Sequence, residues 1–285
     1  MYVALMRVDV GGGVRLFVDV DGPGWIPDGR SMRQRPTLLM LHGGPAMDSS
    51  LFRGSGLEEL TDVAQVVVYD HRGAGRSDWR SPDEWTLDTW ADDVVRLCDV
   101  LGIVDPIVLG SSFGGMVAQR YLARHPDHPA RVVLAGTSAR FDLDLIGASF
   151  AARGGERAGA IARGCLGGDQ SLDADFDAVC LPLYATKPFD VERFARVVVN
   201  PDLSAHFRPE RNTMDLRPGL DRVTCPVLVT GGELDPIVPM QAVRELAAAV
   251  PAGLARLVEI EGASHLEAAA DEIAPFVRDF ILESS

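Results

Sequence analysis

Pro106-Ile107-Val108-Leu109-Gly110-Ser111-Ser112-Phe113-Gly114-Gly115-Met116-Val117-Ala118-Gln119-Arg120-Tyr121-Leu122-Ala123-Arg124 is the stretch on which the reading of this chain turns. Its first four residues form an uninterrupted apolar run, as in a strand buried on both faces. Its last ten read as a helix. Between them stands a G-x-S-x-G pattern, Gly110 to Gly114. A sharp turn from strand into helix forces its central residue into a strained backbone conformation and lifts that side chain off the sheet. The central residue is Ser112; Ser111 is not. The flanking glycines leave room for close backbone approach. Taken alone, the pentapeptide also fits a small-residue turn that only packs a strand on a helix. The strand before it and the helix after it favour the first reading.

Outward from this turn, strands and helices alternate. Tyr2 to Val10 and Val14 to Val20 alternate apolar and polar residues around Gly11-Gly12-Gly13, a hairpin signature. Gly22 to Arg35 reads as a Gly/Pro-rich loop. Thr37 to Leu41 and Gln65 to Asp70 are buried strands, with a helical stretch from Leu57 to Val63 between them. Thr86 to Leu101 has helical periodicity, with Leu87, Trp90, Val94, Leu97 and Leu101 on one side. Thr86 or Asp88 caps its start and Gly102 its end. Arg131 to Gly136 is the strand after the central helix. The pattern resumes with a strand at Pro226 to Gly231, a helix at Pro239 to Ala249, a strand at Leu257 to Ile260 and a helix at Ala269 to Leu282. Such alternation predicts an α/β fold, a mostly parallel sheet with helices on both faces. Between about Phe141 and Pro218 the alternation stops, and helical pattern is broken by glycine and proline. The expected organisation is an α/β core from residues 1–140 and 219–285. Residues 141–218 form a helical cap over the carboxyl edge of the sheet, where such folds place ligands.

A serine hydroxyl is a weak nucleophile at neutral pH. It needs an adjacent base, and the base needs an orienting carboxylate. Asp235 follows the strand at Val227-Leu228-Val229, and His265 follows the strand at Leu257 to Ile260. Both fall on loops at carboxyl ends of strands, the edge that presents Ser112. Glu233 is the rival acid. After the strand ending at Leu41 comes His42-Gly43-Gly44-Pro45. A reaction that develops an oxyanion needs preorganised N–H donors. Phe113, next to the serine, supplies one, and Gly44 the other. Gly43 and His206 are candidate substrate contacts.

With these residues in view, the chain resembles α/β-hydrolase fold proteins over nearly its full length, and more narrowly the proline iminopeptidase group. The chain order serine, acid, histidine matches the fold's elbow motif. The group's H-G-G-P-G loop corresponds to His42-Gly43-Gly44-Pro45-Ala46, with Ala46 replacing the last glycine. Its D-x-R-G-x-G-x-S turn corresponds to Asp70-His71-Arg72-Gly73-Ala74-Gly75-Arg76-Ser77, where Arg72 reads as an anchor below the site. Its histidine loop corresponds to Gly262-Ala263-Ser264-His265. The resemblance implies a serine hydrolase acting through an acyl-enzyme on an ester, lactone or amide of a small molecule. The alternatives are a carbon–carbon bond hydrolase with the same three residues, and a non-catalytic ligand receptor on the same fold. Iminopeptidase-like enzymes bind a free substrate amine through carboxylates, and some carry one just after the acid, where this chain has Pro236. Residues 141–218 hold twelve acidic and nine basic residues, so no concentrated negative field gathers there. Glu156, Glu192 and Glu210 are the candidates for an amine. The expectation is weak aminopeptidase activity or none, and better cleavage of neutral small molecules.

The composition narrows the partners. A net charge of −14 over 285 residues opposes nucleic acid and anionic membrane surfaces. No apolar run approaches the ~20 residues of a membrane span. The start of the chain lacks the marks of a signal peptide, which points to the cytoplasm. Cys98, Cys165, Cys180 and Cys225 are scattered without metal-ligand spacing, so buried free thiols are expected, with no metal and no cofactor. The oligomeric state is left open.

Overall fold

Four strands are buried at every position, which is why they read as unbroken apolar runs: β5 (Thr37–Leu41), β7 (Ile107–Ser111), β8 (Arg131–Ala135) and β9 (Val227–Gly232). They form the centre of an eight-stranded sheet in the computed structural model, which describes residues 4–188 and 190–283. The sheet is completed by β1 (Ala4–Asp9), β2 (Arg15–Asp21), β6 (Gln65–Tyr69) and β10 (Ala255–Ile260), in the order β1-β2-β6-β5-β7-β8-β9-β10. The pairs from β6 to β10 are parallel; β1 with β2 and β2 with β6 are antiparallel. Tyr2 and Val3, read as part of the first strand, lie outside the described residues.

Side chains alternate across this sheet, and each face has its own core. Leu39, Leu41, Val108, Val132 and Val229 face α1 (Leu87–Leu101), α2 (Phe113–Arg124) and α8 (Met240–Ala249), which bring Trp90, Val94, Tyr121 and Val243. Leu38, Met40, Leu109, Val133 and Leu228 face α9 (Ala274–Leu282) and the 3-10 turn Leu57–Asp62, which bring Val277, Phe280, Leu57 and Leu60. Of the two candidate caps for α1, Thr86 does the work: its side chain accepts from the Thr89 N–H, and Gly102 ends the helix in the left-handed conformation.

Two expectations need correction. The Gly22 to Arg35 segment is not only loop. It holds a hairpin, β3 (Trp25–Asp28) against β4 (Ser31–Gln34), in which Asp28 pairs with Ser31 and Gly29 takes φ 59° at the turn. Most of its residues are exposed, so no apolar alternation reveals it. The last helix starts at Ala274, not Ala269. Glu267–Asp271 instead form one π-helical turn, and Pro275, without an N–H, cannot continue an upstream helix.

Between β8 and β9 lie α3 (Leu143–Gly154), α4 (Glu156–Gly167), α5 (Asp173–Val179), α6 (Val191–Phe194) and α7 (Pro201–Arg211). Among the described residues this segment carries no strand, only one bridge from Arg140 to Asp215. All four cysteines are free and buried. Among the described residues, no helix is long and apolar enough to cross a membrane, and no cluster of His, Cys, Asp and Glu is arranged to hold a metal ion.

Candidate active site

β7 ends at Ser111 and α2 begins at Phe113, so Ser112 makes the turn by itself, at φ 52° and ψ −117°. Side chains rarely tolerate such a backbone, and holding one there costs about 1–3 kcal/mol. Crowding enforces it. A Cβ at Gly110 would sit 2.5 Å from the Gly114 carbonyl oxygen, and one at Gly114 would sit 2.2 Å from that of Leu41. Gly110 is therefore required by contact with the first turns of α2, and Gly114 by contact with the end of β5 and the loop after it. The Ser112 N–H donates to the Ala135 carbonyl at 2.8 Å, which ties the turn to β8.

The loops after β9 and β10 bring two partners to this serine. His265 Nε2 lies 3.0 Å from Ser112 Oγ, and its Nδ1 lies 2.7 Å from Asp235 Oδ2. The other Asp235 oxygen accepts from the N–H groups of Ile237 at 2.9 Å and Val238 at 2.8 Å. Asp235 is 1% exposed and His265 5%, so both side chains are fixed in place. The Asp235 carboxylate needs the Nδ1 proton, which leaves Nε2 free to accept from the serine hydroxyl. The rival acid Glu233 is exposed, and it accepts from the Gly262 N–H at 2.9 Å, bracing the histidine loop from outside.

The His42 loop is built into the sheet edge. His42 Nε2 accepts from the His71 N–H at 3.0 Å, so its proton sits on Nδ1, 3.1 Å from the Gly43 carbonyl. Burial holds the His42 imidazole below its ordinary pKa against the pull of Asp70. Asp70 receives Ser49 Oγ at 2.6 Å and Arg76 Nε at 2.9 Å. Burial would raise its carboxyl, but the Arg76 bonds and the neighbouring His42 bring it below the usual carboxylate range. Arg72 grips Asp93 on α1 through Nε at 3.0 Å and Nη2 at 2.7 Å, and also pairs with Glu84. Its guanidinium is spent on these carboxylates, an anchor as the sequence suggested. Gly44, at φ 55°, and Phe113 both face the cavity in front of Ser112. Phe113 opens α2, where the first N–H groups of a helix have no partner within it.

That cavity measures about 820 Å³ and is roofed by residues of the segment between β8 and β9, among them Phe176, Tyr184, Phe207 and Arg211. Several expected substrate contacts do not line it. Gly43 faces the elbow instead: a Cβ there would lie 2.9 Å from both the Ser111 carbonyl oxygen and Ser112 Cβ. His206 turns to the Trp85 carbonyl, 2.8 Å from its Nε2, and packs edge-on against the Trp85 ring. Glu156, Glu192 and Glu210 are exposed to solvent and outside the cavity lining. A helical face presents every third or fourth residue inward, and these acids sit on the outward positions.

Other residues of the site were not singled out from sequence. Tyr184 meets the His265 ring edge-on at 5.2 Å, and burial raises its phenol pKa so that it stays neutral. Cys165 lines the cavity, but burial and Asp173 push its thiol up to about 12, so it offers no thiolate. Arg153 on α3 reaches the Leu234 carbonyl and Ser264 Oγ, one on each of the loops that carry Asp235 and His265. Glu267 accepts from the N–H groups of Thr186 at 2.8 Å and Ser264 at 3.0 Å, joining the roof to the histidine loop. No spacing rule marks Tyr184, Arg153 or Glu267, because each acts across more than seventy positions.

The family model described as the alpha/beta hydrolase fold matches residues 36–267. The candidate carbamate hydrolase RutD of Caulobacter vibrioides is 38% identical over 114 residues, 36% of this chain and 42% of that protein. The proline iminopeptidase of Lactobacillus helveticus is 32% identical over 115 residues, 39% of this chain and 38% of its own length. Both alignments thus span less than half of the relative. The crystal structure of the enol-lactonase from Burkholderia xenovorans superposes with a TM-score of 0.71 at 26% identity, covering 96% of this chain and 99% of that one.

Proposed function

This chain belongs to the alpha/beta hydrolase fold family, and from that premise we propose that it is a serine hydrolase that cleaves an ester, lactone or amide of a small molecule through an acyl-enzyme. The observation that carries the reading is the hydrogen-bonded run from Ser112 through His265 to Asp235 at the wall of a large cavity. In this reading Ser112 Oγ attacks the scissile carbonyl while His265 Nε2 takes its proton. Asp235 holds the imidazole in the needed tautomer and stabilises the imidazolium. The N–H groups of Phe113 and Gly44 receive the oxyanion. The leaving group takes the proton from His265, and water, activated by the same imidazole, releases the acyl group. Residues 141–218 act as a lid that shapes the pocket. The names of the three relatives, carbamate hydrolase, iminopeptidase and enol-lactonase, support a bond-cleaving activity.

The substrate does not need a free amine in this reading, because the three glutamates expected to bind one are exposed and off the cavity. The four unpaired buried thiols support a reducing compartment, the cytoplasm. The test is labelling with a fluorophosphonate probe followed by peptide mass spectrometry. A label on Ser112, lost in Ser112→Ala, supports the reading; a label on Ser111, or a folded protein that takes none and turns over no ester, lactone or amide, refutes it. Proline arylamide against its N-acetylated form checks the amine. A hundredfold preference for the free amine would return the protein to aminopeptidase chemistry.

A further inference from the structure

Arg211 closes α7 and lines the cavity in front of Ser112. Its guanidinium lies 4.6 Å over the ring of Phe141, another lining residue. Nη2 donates to the Leu166 carbonyl at 3.3 Å, an oxygen that also accepts from Asn212 Nδ2 at 3.1 Å. Nε is buried and has no partner. Among the described residues no carboxylate forms an ion pair with this arginine. The two carboxylates on the same wall are otherwise placed. Asp173 is held by Arg208 at 3.1 and 3.3 Å and receives the Cys165 thiol, while Asp177 is exposed. Burial draws Arg211 below the ordinary guanidinium value, yet a guanidinium stays charged under any physiological condition. A largely buried cation, stacked on an aromatic ring and short of one acceptor, is unfavourable by itself and is relieved by an incoming anion.

We propose that Arg211 determines specificity, and that the substrate carries a carboxylate in addition to the bond cleaved at Ser112. The Arg211 guanidinium at the cavity wall is a planar fork of N–H donors, the group that takes a carboxylate through two parallel bonds. Phe176, Leu166 and Tyr184 enclose the apolar link between the two ends of such a substrate. This refines the neutral substrate that the sequence suggested, and it rests on the reading of Ser112 as nucleophile. The chemical class is a half-ester or half-amide of a dicarboxylic acid, or a lactone bearing a free acid.

The test separates binding from chemistry. In full-length Ser112→Ala protein, calorimetric titration compares the monomethyl esters of succinate, glutarate and adipate with their dimethyl esters. At least one half-ester should bind about tenfold or more tighter than its diester, the size of one charge-assisted hydrogen bond. Adding Arg211→Gln should erase that preference, and Arg211→Lys should restore part of it. If no half-ester is preferred, or if the preference survives Arg211→Gln, the proposal falls. Should the Gln variant not fold by circular dichroism, the Lys variant and the half-ester to diester ratio of the parent protein decide. With Ser112 restored, the same ratio is read in kcat/KM, and the effect should lie mainly in KM. Arg211-dependent binding without turnover or probe labelling would sink the nucleophile reading alone. Turnover with no half-ester preference would sink the present inference alone.

Discussion

At the level of single residues, the site rests on the division of labour between the two Asp235 oxygens. One faces His265 Nδ1 at 2.7 Å, and the other is held by two backbone N–H groups. Asparagine in this position keeps the volume but cannot accept through both atoms. Its amide nitrogen would face either the two N–H donors or the imidazole, and the ring would be driven to the wrong tautomer. Asp235→Asn should therefore lower kcat by about a thousand- to ten-thousandfold with the fold retained. Steady-state kinetics beside a thermal melt checks this; activity near wild type, with Glu233→Gln inactive, would move the acid to Glu233. That Ser112, Asp235 and His265 come together was legible because each follows the carboxyl end of a strand; β7 and β9 are buried and announce themselves by apolar runs, while β10 is largely half-buried or exposed and shows only a short pattern at residues 257–260. The sequence did not show that Gly43, His206 and the three glutamates lie off the cavity. Being near a motif, or inside the insertion, says nothing about which way a residue faces, and on a helix most directions lead to solvent.

At the level of elements, the roof and the histidine loop are joined by polar contacts that cross the chain. Glu267 stands on the π-helical turn directly after His265 and holds both the Thr186 strap and the Ser264 N–H. Burial would raise its carboxyl, but the bonds from Thr186 and Ser264 bring it below the usual range, so it is ionised in the folded protein. Glu267→Gln keeps the shape and puts an amide NH2 against one of these donors. The expected result is a loss of about 1–3 kcal/mol in stability, with a slower rate of fluorophosphonate labelling at Ser112. Chemical denaturation and labelling kinetics measure the two; an unchanged labelling rate would leave the contact purely structural. The sheet and its flanking helices were legible from periodicity. The β3–β4 hairpin and the π-helical turn were not. A hairpin exposed on both faces has no apolar alternation, and an alanine-rich run such as Ala268-Ala269-Ala270 looks the same in a π-turn as in an α-helix.

For the molecule as a whole, two buried imidazoles set the response to acid. His71 stacks on Trp90 at 4.6 Å, and its two ring nitrogens are buried without partners; burial and the neighbouring His42 hold its pKa well below normal. His42 is lowered by burial as well. In the unfolded chain both titrate near ~6.5. Below that pH the unfolded state binds protons that the folded state refuses, so stability present at neutral pH is lost as pH falls. The loss sets in as pH falls through about 6.5 and continues down to the lowered folded-state values, with a slope of up to about 1.4 kcal/mol per pH unit for each histidine. Urea melts between pH 7.5 and 5 should show this decline, and His71→Phe should flatten it while keeping the stack on Trp90. An identical slope in the variant would assign the acid sensitivity elsewhere.

The turn at Ser112 sets stability and chemistry against each other at one position. Its backbone, at φ 52°, suits glycine, and the side chain that it strains is the one proposed to react. Ser112→Gly should therefore be inactive yet more stable than the parent, by about 1 kcal/mol from relief of the strain less the entropy of a freer unfolded chain. A thermostability screen run without an activity assay would enrich that dead variant, so attempts to harden this protein should hold position 112 fixed.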